Sequence, residues 1–147
     1  MFMKKGKNDF SKIWTEVTDP GIITLTTAAL VYLNSEISRR HFNLYQKELE
    51  SPFDNIDPGH KFEVPYFTIT PYDFDADGPQ TNFECDVLQV RWHKHLGIGM
   101  EVFVRKGMNP ADAIKEALTG SLRCIDAWYK AKESEKNDPE MQEEQER

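Results

Sequence analysis

Cysteine is scarce in this chain. Only Cys85 and Cys124 occur, far apart in the sequence. Their separation fits neither a zinc-type ligand spacing nor a C-x-x-C redox pair. They read as small apolar side chains of a protein kept in a reducing compartment. Long apolar runs are also missing. The best, "GIITLTTAALVYL" at 21–33, is broken by threonines and too short to span a bilayer. "MFMKKGKNDF" carries lysines with no apolar region behind them, so no secretory signal is expected. These absences lead to the expectation of a cytoplasmic protein without a membrane association. No serine- or proline-rich linker and no internal repeat divides the chain. Nor does it hold a nucleophile elbow, a phosphate loop or a dinucleotide fingerprint.

A strong positive charge is absent as well. The net charge is −7, and it is unevenly spread. "ESEKNDPEMQEEQER", residues 133–147, has seven acids and two bases, a net of −5 that leaves −2 for the rest. A nearly balanced body argues against direct nucleic-acid binding. The acidic stretch lacks aromatic and β-branched residues, so it is expected to be a disordered tail. It serves either solubility or competition for a basic, phosphate-binding surface on another macromolecule.

What is present suits one domain. With 147 residues and 39% hydrophobic content, the chain can bury a core without cross-links. The expected order is a flexible N-terminus at 1–7, a single α+β domain at 8–132, and the tail at 133–147. Residues 8–17 read as a short helix, with Phe10, Ile13, Trp14 and Val17 on one side. Asp19 and Pro20 then signal an N-cap and a first helical residue, opening a long helix over about 20–50. Ile23, Leu30, Ile37 and Leu44 recur every seven residues along it. Thirty residues make a rod of about 45 Å, longer than a body of this size needs. The excess suits projection, or pairing with a second subunit. "KFEVPYFTIT", 61–70, reads as an edge strand interrupted by Pro65.

"VLQVRWHKHLGIGMEVFV", 87–104, folds as a hairpin if it pivots at Leu96. Leu88 then faces Val104, Val90 faces Val102 and Trp92 faces Met100 on one apolar side. Arg91 meets Glu101 and Gln89 meets Phe103 on the other, and a slip of one residue would destroy both patterns. His93 falls on the polar face opposite Gly99 and His95 lies in the turn, which argues against a paired histidine site. His41 and His60 lie elsewhere in the chain. Arg91, Lys94, Arg105 and Lys106 beside Trp92 and Phe103 read as solvated sheet charge rather than a nucleic-acid platform. Finally, Asn109 caps a helix over about 110–132 that carries a continuous apolar side from Ile114 to Tyr129.

The expected fold is therefore α+β, a small antiparallel sheet of about three strands packed against the helices at 20–50 and 110–132. Phe67, Ile69 and Phe103 are expected on the far face of that sheet, covered by a partner protein or a second subunit.

One motif carries a mechanism. "DFDADGPQTNFE", 73–84, fits D-x-[DN]-x-[DN]-G-x5-E at every specified position. It resembles the calcium loop of EF-hand proteins. That resemblance implies a cage of oxygens from Asp73, Asp75, Asp77, the Pro79 carbonyl and Glu84. It covers twelve residues only. Gln80 stands where an aliphatic residue is usual, and strands rather than helices are expected on both sides. An Asp- and Gly-rich turn would have the same composition.

Three functions follow in order. The first is a non-enzymatic binding protein that recognises another macromolecule. One form of it is an inhibitor of a nucleic-acid-binding partner by acidic mimicry, a style shared with small phage and mobile-element accessory proteins. The second is a calcium-binding protein. The third is an enzyme that holds a catalytic metal with Asp73, Asp75 or Glu84.

Overall fold

Alternation of apolar and polar residues in "LQVRW" and "MEVFVR" makes a pair of half-buried strands, and the rest of the sheet grows outward from them. The computed structural model describes residues 5–44, 61–70, 80–92 and 100–137. In chain order the elements are α1 (Lys5–Ile13), β1 (Trp14–Val17), α2 (Pro20–Leu44), β2 (Phe62–Glu63), β3 (Thr68–Ile69), β4 (Gln80–Glu84), β5 (Leu88–Trp92), β6 (Met100–Arg105) and α3 (Pro110–Asn137). The six strands form one sheet in the order β1-β6-β5-β4-β3-β2, antiparallel throughout. The α+β class stands. The strand count is twice the expected three.

The β5–β6 register is the one set by a pivot at Leu96: Leu88 faces Val104, Val90 faces Val102, and Trp92 faces Met100. Trp92 is half-buried on the helix-facing side. His93 and His95 lie outside the described residues.

The three additional strands have separate causes. The expected helix over 8–17 ends at Ile13, and Trp14–Val17 instead pairs with β6, Val17 against Val102. A β-branched, aromatic tetrapeptide beside an open sheet edge gains a ladder of hydrogen bonds there. "KFEVPYFTIT" is two short strands, because Pro65 sits in a turn closed by the Val64 N–H donating to the Phe67 carbonyl at 3.0 Å. The last five residues of the candidate calcium loop form β4.

Strand β4 contains a bulge between Thr81 and Phe83. The extra residue, Asn82, is held by Thr70: the Thr70 N–H donates to the Asn82 carbonyl at 2.9 Å, and Asn82 Nδ2 donates back to Thr70 at 3.3 Å. One inserted residue reverses the alternation, so Phe83 turns inward opposite Val90. A row of side chains then crosses the whole sheet: Val17, Val102, Val90, Phe83, Ile69 and Phe62. All six are buried. Each contributes roughly 1.5–3 kcal/mol relative to exposure.

Helices α2 and α3 lie side by side over this row. The heptad positions of α2 turn inward as expected, with Leu30 and Ile37 buried and Ile23 and Leu44 packed against the core. Buried Leu33 joins them. Residues 45–50 of the expected helix lie outside the described residues. The threonines of "TLTTAAL" are compatible with a helix because Thr24, Thr26 and Thr27 each donate their hydroxyl to the carbonyl four residues back. Both expected caps are present. Asp19 Oδ1 accepts from the Gly21 N–H at 2.8 Å, and Asn109 Oδ1 accepts from the Ala111 N–H at 2.9 Å. Helix α3 continues to Asn137, five residues into the stretch expected to be disordered. Likewise, α1 includes residues 5–7 of the expected flexible N-terminus.

The far face of the sheet needs a correction. Ile69 belongs to the inward row, and Phe67 packs with Phe62 and Phe83 in the core. Only Phe103 points outward, and the chain's own α1 covers it: Phe10 meets the Phe103 ring edge-on at 5.0 Å between centroids. The Arg91 guanidinium lies 4.4 Å from the Phe10 centroid. Phe103 is consequently buried without any partner.

Candidate interaction surface on the helical layer

Helix α2 has two faces of different character. Its inner face carries Thr26, Ala29, Leu30, Leu33 and Ile37, all buried. Its outer face between Pro20 and Ser35 exposes Gly21, Thr24, Leu25, Thr27, Ala28, Val31, Tyr32 and Ser35. No charged residue occurs in that stretch. A surface helix ordinarily sets charge opposite its buried stripe. Here Leu25 is 46%, Val31 60% and Tyr32 50% exposed, three of the four exposed large hydrophobic residues among those described. The fourth, Ile13, ends α1.

Charge begins one residue later. Glu36 pairs with Arg39 at 2.7 Å, and Arg40 bridges to Asp126 of α3 at 2.7 Å. Lys130 adds a contact to Asp126 at 3.0 Å. The Lys130 and Arg40 hydrogen bonds hold the Asp126 carboxyl below its ordinary range, and Glu36 holds the Arg39 guanidinium above its own. These groups border an open groove of about 410 Å³ between α2 and α3, lined by Tyr32, Leu122 and Arg123 among others. Arg123 is exposed and makes no ion pair among the described residues, so the groove is lined by an aromatic ring and an accessible guanidinium.

The candidate metal ligands are not assembled by anything described. Asp73, Asp75, Asp77 and Pro79 lie outside the described residues. Glu84 is exposed at the end of β4, facing Thr68 and Gln89 on the outer side of the sheet. It stands about 13 Å along the strand from Gln80, whereas a calcium loop exits into a helix. Among the described residues no three His, Cys, Asp or Glu side chains are grouped to hold a metal.

One of the two thiols is sequestered. Cys85 is buried, and that burial pushes its thiol up, away from the reactive thiolate. Cys124 is half-buried. On the outer face of the sheet, Arg91 lies over Phe10 and Phe103, and Arg105 lies 5.7 Å from the Trp14 centroid. Of the four basic groups weighed as a nucleic-acid platform, Arg91 and Arg105 thus lie against the chain's own rings, Lys94 lies outside the described residues, and Trp92 faces the other way. Among the described residues no helix is long and apolar enough to cross a membrane.

Comparison with family models, with curated proteins and with solved structures finds no match for this chain. The helical surface therefore has to be read on its own chemistry. The outward face of α2 was legible in advance as sixteen residues without charge inside an amphipathic period. The heptad of Ile23, Leu30, Ile37 and Leu44 on the opposite side is the stronger periodic signal and masks it.

Proposed function

We propose that this chain is a non-enzymatic recognition protein of the cytoplasm that binds another protein through the outward face of α2 and the adjoining groove. One observation carries this reading: the exposed, uncharged helix face displays Leu25, Val31 and Tyr32 to water beside the rim formed by Arg123. Tyrosine and arginine are the residue types that dominate binding energy at protein interfaces, and charge is depleted at interface centres. Two free thiols are compatible with the reducing compartment. The outer sheet face adds nothing to acidic mimicry, because Glu16, Glu63, Glu84 and Glu101 share it with Arg91 and Arg105 and Glu63 is paired with Lys61; that reading rests on the acidic stretch at 133–147, which beyond Asn137 lies outside the described residues.

The test is affinity capture from native lysate with the full chain and with Val31→Asp and Arg123→Glu. Both positions are exposed, so neither change disturbs the core. A partner retained by the parent and lost by both variants supports the reading. A partner retained equally by all three removes it.

Calcium binding by Asp73, Asp75, Asp77, Pro79 and Glu84 is the second reading, and the complete twelve-residue pattern favours it. Isothermal titration of chelator-treated chain should give heat that disappears in Asp75→Ala and Asp77→Ala. Silent titrations of the parent protein with calcium would end the calcium reading, and silent titrations with magnesium and manganese as well would end the catalytic-metal reading built on the same acids.

A further inference from the structure

The outward face of α2 has an internal pattern that specifies an occupant. Gly21, Ala28 and Ser35 run along its centre at intervals of seven. Thr24 and Val31 flank them on one side, and Leu25 and Tyr32 flank them on the other. A seven-residue repeat keeps one face of a helix turned toward a second helix. We propose that this second helix is α2 of another copy of the chain, lying antiparallel across a two-fold axis at Ala28. The inference rests on the reading above that this face is the contact surface.

The side chains fit that operation. A two-fold axis through Ala28 places each residue against the one equally far on the other side. Gly21 then meets Ser35 of the second copy, Thr24 meets Tyr32, Leu25 meets Val31, and Ala28 meets itself. The widest ring is set against a threonine, the two aliphatic side chains fill one layer, and the small residues let the backbones approach. An isologous contact requires this self-complementarity.

Charge decides the direction. Asp19 stands at the N-terminal end of α2 with its carboxylate beside Gly21, while the exposed Arg39 stands near the C-terminal end. Antiparallel pairing brings the acidic end of each helix beside the basic end of the other, and it opposes the helix dipoles favourably. Parallel pairing would set Arg39 against Arg39 and Asp19 against Asp19. Arg39 already pairs with Glu36, yet its side chain remains 56% exposed and keeps donors for a second carboxylate.

The area sets the strength. From Gly21 to Ser35 the helix advances about 21 Å, and a contact of ordinary helix width buries on the order of 600 Å² in total, below the roughly 1,200 Å² of a stable interface. The dimer is therefore weak and reversible.

Sedimentation velocity on the full chain, from about 1 to about 500 µM, should show a monomer converting to a dimer as concentration rises. Ala28→Arg places two like charges on the axis and should keep the chain monomeric throughout. Ser35→Arg repeats the test away from the axis, and far-ultraviolet dichroism of both should match the parent because both sites are exposed. In a Cys124→Ser background, a mixture of Leu25→Cys and Val31→Cys chains should cross-link through a short bis-maleimide at least about fivefold faster than either alone. A monomer at every concentration, a dimer indifferent to both arginines, or self-linking of Leu25→Cys as fast as the mixture would overturn the proposal. If the chain stays monomeric while Val31→Asp still loses a captured partner, the recognition reading survives and only the identity of the occupant falls.

Discussion

Replacing Gly120 by alanine should weaken the fold, although it removes a glycine from the middle of a helix. Propensity alone argues the opposite, since glycine costs about 1 kcal/mol relative to alanine in a helix interior. The tertiary contact reverses the sign. A Cβ at position 120 would lie 2.3 Å from both Cζ and Oη of Tyr66 and 2.6 Å from its Cε1. Carbon contacts settle near 3.5–4.0 Å, so the ring must retreat by about 1.2 Å or more. That ring packs edge-on against Phe67 at 6.3 Å, and its hydroxyl donates to the Glu116 carbonyl at 3.2 Å. Losing the hydrogen bond costs about 0.5–1.5 kcal/mol and overpacking about 1–3 kcal/mol. Against the propensity gain, the net loss should be about 1–3 kcal/mol. Urea denaturation of the parent, Gly120→Ala, Tyr66→Ala and the double variant measures it. With the ring removed, Gly120→Ala should become stabilising by up to about 1 kcal/mol, giving a coupling of about 2 kcal/mol or more. A stabilising Gly120→Ala in the parent, or the same effect in both backgrounds, would refute the reasoning.

Position on α2 should separate two leucines. Leu33→Ala, at a side chain 1% exposed, should cost about 2–5 kcal/mol, while Leu25→Ala, at 46% exposure, should stay within about 0.5 kcal/mol at monomeric concentrations; equal urea midpoints would contradict the assigned faces. The depressed carboxyl of Asp126 contributes stability above its unfolded value of about 3.9, and that contribution is lost as pH falls through the lower folded value. Urea midpoints should therefore drop more steeply below about pH 4 in the parent than in Asp126→Asn, and parallel curves would remove the assignment. Burial raises the Cys85 thiol, so in Cys124→Ser the remaining thiol should react with a disulfide reagent only as fast as the chain opens, and rapid labelling of the folded protein would contradict that burial.

The parts of the fold readable in advance are those fixed by neighbours in sequence. Asp19-Pro20 and Asn109-Pro110 announce helix starts because the cap and the first turn are contiguous residues. The hairpin register follows from its own alternation, because a one-residue slip would expose Leu88, Val90 and Trp92 together. Ser121 is legible within the α3 stripe by spacing, and it is fully buried there. Trp14–Val17 was misread because an amphipathic spacing of three, one and three suits a helix end as well as a strand. Only the presence of the β6 edge selects between them. Phe67 and Ile69 were set on the wrong side because their placement depends on strands paired across the chain.

Sequence by itself determined the class of fold, the two capped helices with their inward heptad and stripe, and the pairing of 88–92 with 100–104, since each rests on contacts a few residues apart. Tertiary structure alone decided how many strands join the sheet, that one inserted residue at Asn82 turns Phe83 into the core, and that Gly120 yields its space to Tyr66. It also decided which side of α2 faces water: periodicity fixes that a helix has two faces, but only packing against α3 and the sheet chooses which one is left for a partner.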